Sequence, residues 1–140
     1  MSVLRKLLLV LVAAGLLVDA YVHWHLAPTF DGISGTGSPR ITEGMLFRVE
    51  AASAVVALVV AVIARRRWAV ALAFLVAIGG LAAVVLYRYV DVGAFGPVPD
   101  MYEPFWYAEK NYSAIGELVA ALSALAYVLL PSTRAGRSTR

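Results

Sequence analysis

Residues 51–86 read AASAVVALVVAVIARRRWAVALAFLVAIGGLAAVVL, two apolar runs separated only by Arg65, Arg66 and Arg67. With its flanking residues, each run approaches the ~20 residues with which a helix crosses ~30 Å of hydrocarbon. A connection of three residues leaves the two helices antiparallel and adjacent. This stretch therefore predicts a hairpin of two transmembrane helices.

A further apolar stretch lies on each side of this hairpin, so that the sequence predicts four membrane spans in one domain covering residues 1–140. The expected fold class is an all-α, integral membrane, antiparallel four-helix bundle. The predicted spans are 4–26, 44–64, 68–90 and 111–130, and the connections on the opposite side from the arginines are 27–43 and 91–110.

The composition excludes several classes of protein. Of the 140 residues, 61% are hydrophobic and 15% charged, with a mean hydropathy of +0.80, whereas soluble domains carry about 25% charged residues. Neither a water-soluble enzyme nor a disordered segment has this composition. The chain has no cysteine, which excludes disulfides, thiolate nucleophiles and iron–sulfur clusters. The net charge of +3 does not indicate a nucleic-acid partner, because the basic residues lie at helix ends rather than over one face.

The distribution of charge predicts the orientation of the helices. Basic residues concentrate before the first span, between the second and third, and after the fourth: Arg5, Lys6, Arg65, Arg66, Arg67, Arg134, Arg137 and Arg140. All nine acidic residues fall in the other half of the four-span arrangement. By the positive-inside rule, both termini are expected in the cytoplasm of a multi-pass protein of a bacterial plasma (inner) membrane.

The first span has an alternative interpretation. Arg5 and Lys6, the apolar run Leu7–Val18 and the small residue Ala20 resemble a cleavable signal peptide. Cleavage would leave three helices and an amino terminus outside the cell.

Three acidic residues are expected at one depth inside the bilayer. At 1.5 Å per residue, Asp19 lies about 20 Å above Lys6, and Glu50 about 22 Å above Arg65. Glu117 lies about 21 Å above Pro131. A carboxylate that faced lipid at this depth would cost ~2.5–3.5 kcal/mol. The three side chains are therefore expected to face the bundle interior and each other.

Two arginines and a histidine are the expected counter-charges of this layer. Arg48 and Arg88 lie near the outer ends of their helices, and His23 follows Asp19 by one helical turn. The predicted pocket and ion-pair layer thus comprises Asp19, His23, Arg48, Glu50, Arg88 and Glu117. Such a layer can bind a ligand or ion, or it can only fix the register of the helices.

Most aromatic residues also fall in the outer half. The second outer loop, which contains Tyr102, Phe105, Trp106 and Tyr107, predicts a lid over the polar layer. A pocket beneath an aromatic lid suits a flat or amphipathic molecule, such as a lipid head region or a quinone-like compound.

The pair His23 and His25 resembles a metal-binding motif. Met45 or Met101 would add a soft thioether ligand that suits copper. Histidines at this spacing also occur in the interfacial belt of membrane helices, and nothing here indicates the opposed axial ligands of haem.

Three functions follow as hypotheses. The first is a non-enzymatic accessory or binding protein with an outward-facing polar pocket, in contact with the bilayer and forming a homo-oligomer or part of a larger membrane complex. The second is a small proton-coupled transporter that uses Glu50 or Asp19 as the proton carrier and oligomerises. The third is an outer-face metal site. No Gly-x-Ser-x-Gly nucleophile motif is present, and no catalytic residue is predicted.

Overall fold

The computed structural model describes residues 1–131 and confirms the four predicted helices. They are α1 (Val3–Leu26), α2 (Glu43–Ala64), α3 (Arg67–Tyr89) and α4 (Ala108–Leu129), with a short 3-10 turn at Ala27–Phe30. Helix α4 begins three residues before the predicted span of 111–130, because the polar residues ahead of its apolar run are also helical. By length and composition, α2, α3 and α4 are each able to cross a bilayer.

Local sequence accounts for the helix boundaries. The hydroxyl of Ser2 accepts a hydrogen bond from the Arg5 amide at 3.3 Å, and that of Thr42 accepts one from the Met45 amide at 3.0 Å. Each caps a free amide group at a helix start. Arg65 follows the last residue of α2 and caps the helix, and its φ of 51° lies in the left-handed region. That conformation turns the chain directly into α3.

The four helices pack around a common interior in the order α1, α2, α3, α4, and they form a closed ring because α4 contacts both α3 and α1. Helices α1 and α4 approach so closely that a Cβ atom added at Gly15 would overlap the Gly116 carbonyl oxygen. Small residues permit this backbone approach, as they do in many packed membrane helices. The interior of the ring is built mainly from alanines of all four helices, with Leu16 and Val70.

The arginine-rich end of the bundle is tied together by hydrogen bonds. The buried Tyr127 hydroxyl of α4 donates to the carbonyl of Arg65 at 2.9 Å. The Arg5 guanidinium donates to the carbonyl of Leu130 at 3.0 Å, and that of Arg67 donates to the same oxygen. The start of α1, the turn between α2 and α3, and the end of α4 therefore meet, so successive helices are antiparallel. The basic residues predicted beyond Pro131 lie outside the described residues.

The two loops at the end of the bundle opposite Arg65–Arg67, called the outer loops, are joined by backbone hydrogen bonds. The amide of Thr36 donates to the carbonyl of Gly96 at 3.0 Å, and that of Ile41 to the carbonyl of Pro97 at 3.3 Å. In the second loop, the amide of Glu103 donates to the carbonyl of Tyr87 at 3.0 Å. The second loop is thus fixed over the end of α3, where it can close a cavity.

Candidate functional site

A polar cluster lies inside the outer half of the bundle, where α1 and α4 face α2 and α3. Ligand-type atoms of Asp19, His23 and Glu117 all lie within 4.8 Å of one another. Asp19 and Glu117 are fully buried, although they belong to different helices. The structure therefore brings together Asp19 and Glu117, which the helical depth count placed in one layer, with His23, which was predicted as a counter-charge one turn after Asp19.

Asp19 is the centre of the hydrogen bonding in this cluster. Its Oδ1 lies 2.7 Å from Nδ1 of His23, one turn later on the same helix. The same oxygen accepts a hydrogen bond from the Ser113 hydroxyl of α4 at 3.2 Å. The His23 ring also contacts Phe47 edge-on, with 5.1 Å between ring centroids. These contacts fix the imidazole in one orientation.

Glu50 and Glu117 approach the cluster from α2 and α4. A Cβ atom added at Gly80 would overlap Oε1 of Glu117 and would lie 3.1 Å from Oε1 of Glu50. Both carboxylates therefore border the same point on α3, where Gly80 has no side chain to displace them. The sequence analysis did not identify this role of Gly80.

Several carboxylate oxygens of the cluster have no hydrogen-bond partner among the described residues. They are Asp19 Oδ2, Glu50 Oε1, Glu117 Oε1 and Glu117 Oε2. Buried polar atoms in proteins nearly always have partners, so each exception calls for an explanation. Four of the five unpartnered atoms among residues 1–131 therefore belong to this cluster, and the fifth is Nε of Arg88.

The arginines that were expected to pair with these carboxylates do not contact them. Arg48 forms a two-pronged ion pair with Asp31 of the first outer loop, at 2.6 and 2.8 Å, and both side chains are exposed. The prediction missed this pair because it compared charges within the spans and ignored the acid in the adjoining loop. The guanidinium hydrogen bonds hold the pKa of the Asp31 carboxyl below its usual value.

Arg88 also lies away from the carboxylates. Its guanidinium carbon is 4.9 Å from the centre of the Tyr89 ring and 5.8 Å from that of the Trp106 ring. Cation–π contacts of this kind hold an arginine at the outer rim. Within residues 1–131, no lysine or arginine nitrogen lies within 4.0 Å of a cluster carboxylate, so the predicted balance of acids against arginines does not form.

A cavity of about 300 Å³ extends from this cluster toward the outer loops. His23, Glu50, Gly80 and Ser113 line its inner end, and its walls are largely apolar. The wall residues include Val22, Leu46, Phe47, Ala83, Val84, Tyr87 and Met101. Polar groups thus lie at the end of an apolar channel.

A second polar group lines the outer part of the cavity. Nζ of the buried Lys110 donates to the carbonyl oxygen of Glu103 at 2.8 Å and lies 3.3 Å from its carboxylate. The Tyr107 hydroxyl donates to the same carboxylate at 3.0 Å. Glu43, also buried, completes this part of the lining. The sequence analysis missed Glu43, Glu103 and Lys110; the available signal was that Lys110 is the only lysine besides Lys6.

The predicted aromatic lid is only partly realised. Of its four residues, Tyr107 lines the cavity, whereas Tyr102, Phe105 and Trp106 are exposed. The lid over the cavity consists instead of Met101, Glu103 and Tyr107 side chains. Burial and the neighbouring Glu103 carboxylate raise the pKa of the Tyr107 hydroxyl above its ordinary value.

The two histidines do not form a common site. His25 is exposed and stacks on Tyr21 with 5.7 Å between ring centroids. It lines a separate groove with Glu109 and Tyr112, and not the cavity. A helix places residues two positions apart on different faces, so the predicted His23 and His25 metal pair, with Met45 exposed as well, is not assembled.

Comparisons with protein-family models, with curated proteins and with solved structures find no match for this chain.

Proposed function

We propose that all four helices span a bacterial plasma (inner) membrane, with both termini in the cytoplasm and the cavity open to the outside. Large apolar side chains cover the outer surfaces of the helices, as expected of a surface in contact with hydrocarbon. Helix α1 is included because the run Leu7–Val18 is uninterrupted and because it packs between α2 and α4. The arginine-rich end supports the orientation.

The absence of cysteine makes this topology simple to test. Single-cysteine variants Ser2→Cys and Thr36→Cys place one thiol at each proposed side of the membrane. A membrane-impermeant maleimide is expected to label Thr36→Cys in intact cells, and Ser2→Cys only after the membrane is opened. The reverse pattern would invert the orientation, and the mass of the labelled chain would reveal a cleaved first span.

We propose that the protein binds a small amphipathic molecule, such as a lipid head region or a quinone-like compound, as an accessory or binding protein. The observation that carries this proposal is the cavity of about 300 Å³, at the lower end of the ~300–1,000 Å³ of ligand sites. Apolar walls suit the body of such a molecule. The Lys110 ammonium has three hydrogens and can donate to its polar groups. The hydroxyl oxygens of Ser113 and Tyr107, whose hydrogens go to Asp19 and Glu103, can accept hydrogen bonds from them.

The test is retention of a ligand by the purified protein. Native mass spectrometry of the full chain, extracted in mild detergent, is expected to show a small molecule bound to the wild type. Ala83→Phe should fill the cavity and abolish the adduct. Ala82→Phe is the matched control, because this neighbouring residue is also exposed and does not line the cavity. Equal adducts in both variants would remove the proposal.

A second candidate, a small proton-coupled transporter, is favoured by one observation. Glu50 lines the cavity while Glu117 and Asp19 lie behind it, so a carboxylate accessible from outside adjoins two buried ones. Intramembrane carboxylates in this arrangement serve as proton relays in transporters. For this candidate, Glu50→Gln should abolish proton-linked flux in vesicles that contain the oligomeric protein, and unchanged flux would exclude Glu50 as carrier.

A further inference from the structure

We infer that Asp19, His23 and Glu117 form a binding site for one divalent transition-metal ion, with Glu50 as an adjoining donor. The site lies at the inner end of the cavity and differs from the His23 and His25 pair considered above. It does not depend on the proposed amphipathic ligand.

The spacing of the donor atoms supports this site. Nitrogen and oxygen ligands bind zinc-like ions at about 2.0–2.2 Å, so two ligands of one ion lie up to about 4.4 Å apart. The three donors here lie within 4.8 Å of one another. Movements of a few tenths of an ångström, within ordinary side-chain rotation, would bring them to one ion.

The unpartnered oxygens are a second observation, because buried carboxylate oxygens need a neighbouring proton or cation. Both oxygens of Glu117 lack a hydrogen-bond partner among the described residues, although this side chain is 0% exposed. Asp19 Oδ2 and Glu50 Oε1 share this property. An ion-pair network that only fixed the helix register would direct cations at these atoms, but Arg48 pairs with Asp31. No Arg88 nitrogen lies within 4.0 Å of a carboxylate oxygen of residues 1–131.

The donor set defines the class of ion. Carboxylate oxygens with one imidazole nitrogen suit Mn²⁺, Fe²⁺ or Zn²⁺, whereas Mg²⁺ and Ca²⁺ favour oxygen ligands alone. No thiolate is available in the chain. The edge-on contact with Phe47, which is not a proposed ligand, holds the His23 ring at the cluster.

The cavity supplies a route to the site. His23, Glu50 and Ser113 line its inner end, so an ion that enters from the outer side meets Glu50 and His23 first. Lys110 lines the same cavity and pairs with Glu103, but the acidic residues Glu43, Glu50 and Glu103 outnumber it, which favours the approach of a cation over that of an anion.

The test uses the full chain, purified in detergent and stripped of metal by a chelator. Titration with Mn²⁺, followed by electron paramagnetic resonance, is expected to show one ion per chain, with coupling to one imidazole nitrogen. Mg²⁺ at equal concentration should not displace it. Absence of stoichiometric binding, or a bound ion without nitrogen coupling, would overturn the inference without any variant.

Variants test the assignment of the ligands. His23→Gln and Glu117→Gln should each weaken Mn²⁺ binding by about tenfold or more. The matched controls are His25→Gln and Glu109→Gln, which alter the same residue types on the same two helices outside the cluster. Equal losses in the controls and the cluster variants would overturn the inference. Because the probe is the ion alone, loss of the amphipathic ligand proposed above would leave this result unchanged.

Discussion

The two halves of this bundle use the same four helices in different ways. In the inner half, alanines fill the interior and the buried Tyr127 hydroxyl donates to the Arg65 carbonyl. In the outer half, the helices enclose a cavity, and carboxylates of Asp19, Glu50 and Glu117 remain without full hydrogen bonding. Among residues 1–131, the buried side-chain nitrogen and oxygen atoms of the inner half all have hydrogen-bond partners, whereas several of those in the outer half have none.

This difference indicates which half of the bundle adds to its stability and which half reduces it. Unpaired buried polar groups cost about 1–3 kcal/mol each, so a sequence under selection for stability alone would replace them. Binding sites commonly keep such groups at the expense of stability. Under the function proposed above, the packed half anchors the bundle and the cavity half holds the binding site.

The largest expected effect is on the contact between α1 and α4. Gly15→Val should lower the free energy of unfolding by about 3 kcal/mol, because any Cβ at this position overlaps the Gly116 carbonyl. Reversible unfolding in mixed detergent micelles measures the loss. The control is Ala14→Val on the exposed face of the same helix, which should change little. Equal losses would show that the close approach does not hold the bundle together.

A smaller effect is expected at the inner end. Tyr127→Phe removes the hydrogen bond to the Arg65 carbonyl but keeps the packed ring. The free energy of unfolding should fall by about 1 kcal/mol, and the same unfolding measurement applies. Ser53→Ala, which removes a hydroxyl bonded within its own helix at Val49, is the control. No loss in Tyr127→Phe would show that this hydrogen bond does not stabilise the inner end.

The smallest effect concerns the outer loop at alkaline pH. Burial and Glu103 raise the pKa of Tyr107, so its contribution to stability is complete below the ordinary tyrosine value of about 10. The contribution is lost as the pH rises through the value in the folded protein. Tyr107→Phe should remove a part of the alkaline loss of stability worth less than about 1 kcal/mol. Thermal unfolding between pH 8 and 11 tests this, with the exposed Tyr112→Phe as control; identical pH profiles for wild type and Tyr107→Phe would contradict it.

Much of the fold could be predicted from the sequence because apolar runs and helical rise are local properties. The uninterrupted runs and the triplet Arg65–Arg67 indicated four helices and one tight hairpin. The depth count placed Asp19, Glu50 and Glu117 at one level because the rise per residue is nearly constant.

The rest depended on contacts between distant segments. Helical spacing already separates Arg48 from Glu50, two residues later on the same helix. Nothing local shows that Arg48 pairs with Asp31, which lies in the preceding loop. The role of Gly80 depends on Glu117, which belongs to the neighbouring helix. Helical spacing places His23 and His25 on different faces, provided that the chain is helical at both residues. The structure shows that α1 is helical through Leu26, so the two imidazoles do not share a site.

The measurement that tests the central claim most directly is the free energy of unfolding of Glu117→Met in metal-free protein. Methionine has a similar shape and removes both unpartnered oxygens. If the outer cluster is a binding site kept at the expense of stability, the free energy of unfolding of this variant should exceed that of the wild type by about 1–3 kcal/mol. A loss of comparable size would show that Glu117 holds the bundle together, and would contradict the distinction between a packed half and a binding half.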